Sequence, residues 1–97
     1  MNYDSSRLIV KINQIAEYFA SKQPQEITFN DADKIDYELF LVSKEWDEKF
    51  NDNFSEKFPH IEEMWEILAN WRAEEKKIDL VRNQKIIDLA KKHLIMQ

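Results

Sequence analysis

The chain predicts an all-α fold, a compact bundle of about four helices, and three observations carry that reading. There is no glycine in 97 residues. Tight hairpins, phosphate-cradling loops and strained catalytic turns need positive φ, which glycine supplies without steric cost. A β-sandwich or barrel is therefore disfavoured, and Rossmann and Walker loops are excluded. Apolar residues also recur at helical spacing in four separate stretches. Finally, an apolar content of 43%, with three Trp, three Tyr and six Phe, exceeds what disordered chains carry, so a core can form. The length predicts one helical domain over 1–97, large enough to fold without a metal or disulfide staple.

The first helix begins after "DSS", where Asp4, Ser5 or Ser6 can accept from free helical N–H groups. Leu8, Ile12, Ile15 and Phe19 form its buried face, flanked by Ile9 and Ala16. Pro24 in "SKQPQ" ends it by disfavouring helix in the residue before. "EITF" (Glu26 to Phe29) reads as an extended connector or small edge strand, and Asn30 or Asp31 as the cap of the next helix. In that helix Ile35, Leu39, Val42, Trp46 and Phe50 fall within an arc of roughly 80°. A minor alternative makes "YELFLV" a strand paired with "EITF", an α+β fold with a hairpin around 26–43.

"NDNFSEKF" (Asn51 to Phe58) reads as a loop, and Pro59 suits a first helical turn. Ile61, Met64, Trp65, Leu68 and Trp71 make the third stripe, which stops at the charged "RAEEKK". The last segment runs from Asp79, a cap, through Leu80, Ile87 and Leu94, either as a separate helix or as a continuation of the third.

Several chemistries lack their residues. Without cysteine there are no disulfides, no thiol catalysis and no zinc–thiolate sites, and a cytoplasmic location is the default. No apolar run reaches membrane-span length, and "MNYDSSRLIV" lacks the basic start and cleavage site of a signal peptide. "HIEE" (His60 to Glu63) reverses the Glu-x-x-His order of the carboxylate-bundle metal sites and occurs once. His60 reads as a solvated first-turn residue and His93 as a partner of a helix C-terminal dipole. The sequence thus predicts no enzyme, no cofactor and no metal.

Charge is segregated. Residues 26–66 carry thirteen acids against four bases, whereas the segments before and after are net basic, with two acids to three bases and four to seven. Acids on solvated helix faces are common in any stable domain. The functional alternative is a negative surface that steers a basic partner. Direct nucleic-acid binding is disfavoured by repulsion from the phosphates.

Between Asp33 and Phe50, Tyr37, Phe40 and Leu41 fall outside the core stripe, among Asp33, Asp36, Asp47 and Glu48. They form either a second buried face, as expected of a central bundle helix, or an exposed aromatic–acid patch of the kind found at binding hot spots. Ordinary bundle packing favours the buried face. The candidate partner-binding residues are accordingly Asp33, Asp36, Tyr37, Phe40, Asp47 and Glu48, joined by Glu62, Glu63 and Glu66 of the third helix.

"RLIVKINQIAEYFA" (Arg7 to Ala20) resembles the opening helix of the small delta subunit of NAD-dependent formate dehydrogenases over fourteen residues. That family's later Trp-Pro-Arg-Met-Arg and glycine-rich segments are absent, so the likeness is one of amphipathic-helix grammar. In size, acidity and lack of catalytic motifs the chain is similar in character to DNA mimics of the anti-restriction and anti-CRISPR kind and to nuclease-immunity proteins. That character implies a non-enzymatic inhibitor occluding a positively charged site on a nuclease or nucleic-acid-binding complex. The alternative is a small accessory subunit or assembly factor of a larger complex.

Overall fold

Thr28 starts the longest helix. Its hydroxyl accepts from the Asp31 N–H at 3.3 Å while the Asp31 carboxylate accepts from the Thr28 N–H at 2.9 Å, a reciprocal capping box. The helix therefore begins two to three residues earlier than Asn30 or Asp31 as cap would place it. Asn51 ends it in the left-handed region at φ 48° and ψ 45°. Asparagine tolerates that conformation better than other residues with a Cβ, and in a chain without glycine it takes the usual glycine position.

The computed structural model describes residues 5–74 and 77–96. The elements are α1 (Ser6–Ala20), a 3₁₀ turn (Pro24–Glu26), α2 (Phe29–Phe50), α3 (Phe54–Lys57), α4 (Pro59–Ala69) and α5 (Leu80–Ile95). The all-α expectation holds. No strand occurs among the described residues, so the hairpin alternative falls: 26–43 holds the end of the 3₁₀ turn, a short extended link and most of α2. The stretch expected as a loop contains one turn of helix, α3, because the Asn53 side chain accepts from the Glu56 N–H at 3.2 Å. Ser5 occupies the cap position of α1 without a side-chain hydrogen bond, and Asp4 lies outside the described residues. Asp79 caps α5 by accepting from the Arg82 N–H at 3.0 Å, so α4 and α5 are separate helices.

Side-chain pairs fix the directions. Arg7 pairs with Glu45, Lys11 with Glu38 at 3.7 Å and Tyr18 with Asp31 at 2.5 Å, so α1 and α2 run antiparallel. Asp36 meets Trp65 and Trp46 meets Phe58, which makes α2 and α4 antiparallel as well. His60 meets Met96 near one end of the α4–α5 pair, and Arg82 stacks on Trp71 near the other. Asn13 with His93, and Pro24 with Asn83, set α1 against α5. The result is an up-down-up-down bundle in which α2 and α5 each pack between α1 and α4. It is elongated, 48 × 27 × 18 Å. Exposed ion pairs such as Arg7–Glu45 add little stability. The core does the holding, through Phe19, Leu39, Trp46, Phe54, Ile61, Met64, Ile86 and their neighbours.

The predicted stripes of α1, α2 and α4 are buried, with Phe50 and Trp65 half-buried at their margins. In α5 the expected heptad stripe is wrong. Leu80 is 53% exposed and Leu94 half-buried, while the inward face is Asn83, Ile86, Ile87, Leu89, Ala90 and His93. Leu80, Ile87 and Leu94 do share a line on the helix, but that line is the margin of the buried arc, which centres on Ile86 and Ala90, so of the three only Ile87 is buried.

Candidate functional site

The outward side of α2 is the most distinctive surface of the molecule. With Ile35, Leu39, Val42 and Trp46 turned inward, helical geometry puts Asp33, Tyr37, Phe40, Lys44 and Glu48 along the opposite line, all of them exposed. Tyr37 is 64% exposed, Phe40 49% and Leu41 47%. The second-buried-face reading is therefore overturned. A four-helix bundle surrounds each helix on its inner side only, and among the described residues no fifth layer covers α2. On the α1 side, Leu41 and Val10 line a shared groove of about 540 Å³. Its two carboxylates, Glu38 and Glu45, are the ones paired with Lys11 and Arg7.

The acids of the candidate site divide into two kinds. Asp33, Glu48 and Glu66 stand at exposed positions. Asp36 and Asp47 have structural work instead: Asp36 accepts from the Trp65 indole N–H at 2.6 Å, and Asp47 accepts from the Phe54 N–H at 2.8 Å, which anchors α3. They are not the free surface charges that their wheel positions suggest. On α4, Glu62 is half-buried and its Oε2 is enclosed without a hydrogen-bond partner. Trp65 bonding to α2 places that side of α4 against α2, and Glu62 and Glu66 follow it around the helix. Glu63 turns the other way and lines the α4–α5 groove with Lys85, Lys92 and Leu89. The fold thus brings Asp33, Asp36, Tyr37, Phe40, Asp47, Glu48, Glu62 and Glu66 onto α2 and its α4 flank, and it separates Glu63 from them.

Tyr18 and Asp31 form a second polar feature between α1 and α2. Burial alone would raise the Asp31 carboxyl. Hydrogen bonds from the Tyr18 hydroxyl and from the Thr28 N–H and hydroxyl, with Lys22 nearby, outweigh it and hold the group below its usual range. The same bond to Asp31, together with burial and the negative charge, pushes the Tyr18 hydroxyl up.

Two buried polar residues of α5 escaped the sequence reading. Asn83 is fully buried; its Nδ2 donates to the Pro24 and Ile27 carbonyls at 2.8 and 3.3 Å, and its Oδ1 accepts from Arg82 Nε at 3.2 Å. It ties the α1–α2 connection to α5. His93 is 7% exposed and donates from Nε2 to Asn13 Oδ1 at 2.8 Å. Burial, then the charge of His60, pushes its pKa below the ordinary imidazole value. It stands in the last turn of α5, as expected, but in the core, and His60 is half-buried rather than solvated. The available signal was position: Asn83 and His93 stand at helical spacing with Ile86 and Ala90, on the apolar face.

No protein family, no curated protein and no solved structure matches this chain. Among the described residues, no helix is long and apolar enough to cross a membrane, and no three His, Cys, Asp or Glu side chains converge as a metal-holding group.

Proposed function

We propose that this is a small non-enzymatic binding protein that uses the outward face of α2 to occlude a positively charged site on a partner protein. The partner class is a nuclease or nucleic-acid-binding complex, as in the anti-CRISPR, anti-restriction and nuclease-immunity proteins. The observation that carries the reading is the exposure of Tyr37, Phe40 and Leu41 between Asp33 and Glu48 on a rigid helix. Exposed aromatics anchor protein interfaces, and flanking charges steer encounter. Charge mimicry alone is too weak an account. Duplex DNA carries one charge per about 1.7 Å, whereas the stretch from Asp31 to Asp52 holds eight acids against three bases. Six of the eight are engaged within the fold: Asp31, Asp36, Asp47 and Asp52 as hydrogen-bond acceptors and Glu38 and Glu45 in ion pairs. The reading is therefore of an aromatic anchor with an acidic rim.

A second reading, an accessory subunit of a larger complex, draws on a separate apolar group at the start of α5, where Ile78, Leu80 and Val81 are 58%, 53% and 83% exposed. The test is capture from the native host with wild-type protein and with the Tyr37→Ser/Phe40→Ser double variant. The inhibitor reading expects a basic partner that the variant fails to retain and whose nucleic-acid binding the wild type blocks. A partner held equally by the variant, or one whose nucleic-acid binding is unaffected, sinks it.

A further inference from the structure

We propose that the end of the bundle where α4 begins and α5 ends is a binding site for a soft monovalent metal ion, copper(I), with His60, Met96 and His93 as ligands. His60 Nε2 lies 3.1 Å from Met96 Sδ. His93 and Met96 are three residues apart at the end of α5, the spacing that puts two side chains on neighbouring positions of one helix surface. His60 enters from the first turn of the antiparallel neighbour α4. All three side chains line one groove of about 490 Å³, whose remaining walls include Ile9, Phe58 and Pro59.

The ligand set decides the metal. Two imidazoles and a thioether, with no carboxylate among the described residues that line the groove, suit a soft ion; thioether sulfur selects copper(I), whereas magnesium and calcium need oxygen. Lys57 at the groove edge disfavours a divalent ion more than a monovalent one. The second shell is in place as well. His93 donates from Nε2 to Asn13 Oδ1, which leaves the Nδ1 lone pair for a metal, and a hydrogen bond to the far nitrogen is how metal-binding histidines are oriented.

The spacing fits. With metal–nitrogen and metal–sulfur bonds of about 2.0 and 2.3 Å, a 3.1 Å separation corresponds to a bond angle of about 90° at the metal, and roughly half an ångström of opening brings it to the trigonal range. Met96 is 72% exposed and lies just beyond α5, so it is free to supply that movement. A bound ion would clamp the ends of α4 and α5 and raise the folded state's stability by mass action.

The test is an anaerobic titration with copper(I) against a chromogenic copper(I) chelator. Silver(I), redox-inert and similarly soft, serves as the probe for NMR of the methionine methyls and histidine rings. We expect one equivalent bound, with shifts at Met96, His60 and His93 and none at the buried Met64. Met96→Leu and His60→Gln lie outside the core and should leave the metal-free melting temperature unchanged. Each should weaken binding at least about tenfold and remove the silver-induced rise in Tm. The proposal is overturned if no one-equivalent complex forms, if the shifts centre on Met1, or if both variants bind as the wild type does.

Discussion

α2 and α5 both leave apolar residues exposed, but only α5 also buries polar ones. α2 leaves a tyrosine, a phenylalanine and a leucine about half or more exposed, while α5 buries an asparagine and a histidine. Burying amide or imidazole groups costs free energy unless each finds a partner. Asn83 and His93 each find one on another element, so the cost is offset and the reward is register: the α1–α2 connection and the middle of α1 can meet α5 in one alignment only. The exposed aromatics of α2 have no such internal account. Exposed single apolar residues are ordinary, whereas three together on one surface are the observation on which the proposed contact rests. Structural specificity thus resides in the polar residues of α5, and the binding reading rests on the apolar residues of α2.

The largest effect should separate the two faces of α2 itself. Trp46→Ala removes a side chain that is 4% exposed and packed tilted against Phe50 and edge-on to Phe58, and should destabilise the fold by about 3–5 kcal/mol. Phe40→Ala, two turns away on the other face, should stay within about 0.5 kcal/mol by urea unfolding. Comparable losses from both would mean that the outward face is not free.

Next is Asn83→Ala, which strips two carbonyls of a buried donor and should cost about 1–3 kcal/mol. Hydrogen exchange should rise first around Pro24–Ile27, the segment that Asn83 holds. A uniform rise would mean that the residue is simply one more part of the core.

His93 sharpens the comparison through pH. Its native pKa lies below the unfolded value, so the unfolded chain takes up the proton first. Stability is therefore fully present above about pH 6.5 and falls as pH drops from there towards the depressed native value. Denaturation midpoints between pH 8 and pH 5 should show this fall, and His93→Asn should flatten it. Asp31, held low, adds its own loss only at more acid pH, as its carboxylate protonates.

The smallest expected differences lie among the acids. Charge reversal at Asp33 or Glu48 should move stability by less than about 0.5 kcal/mol. Reversal at Asp36 or Asp47 removes an acceptor for the Trp65 indole or the Phe54 amide and should cost about 1 kcal/mol. Once a basic partner is in hand, stopped-flow association should slow with Asp33 and Glu48 reversed and lose part of its salt dependence. Equal thermal shifts at all four positions would erase the distinction between structural and free carboxylates.

By itself the sequence determined the helical class, the inward stripes of α1, α2 and α4, the cap at Asp79 and the first-turn position of Pro59, because each follows from periodicity or backbone chemistry within a few residues. The absence of glycine weighed against a sheet but left the hairpin around 26–43 open until the structure removed it, and local capping chemistry suffices to explain why Thr28 and Asn51 bound α2. Tertiary structure alone decided what each off-stripe residue does. Tyr37 and Phe40 are exposed because α1 and α4 flank α2 without covering its outer side. Asp36 and Asp47 are bound rather than free because an indole from α4 and an amide from α3 arrive beside them. Asn83 is buried because two carbonyls from 56 and 59 residues away converge on it. Such partners are distant in the chain, and no local pattern records them, since a side chain's worth depends on which unpaired group meets it once the helices pack.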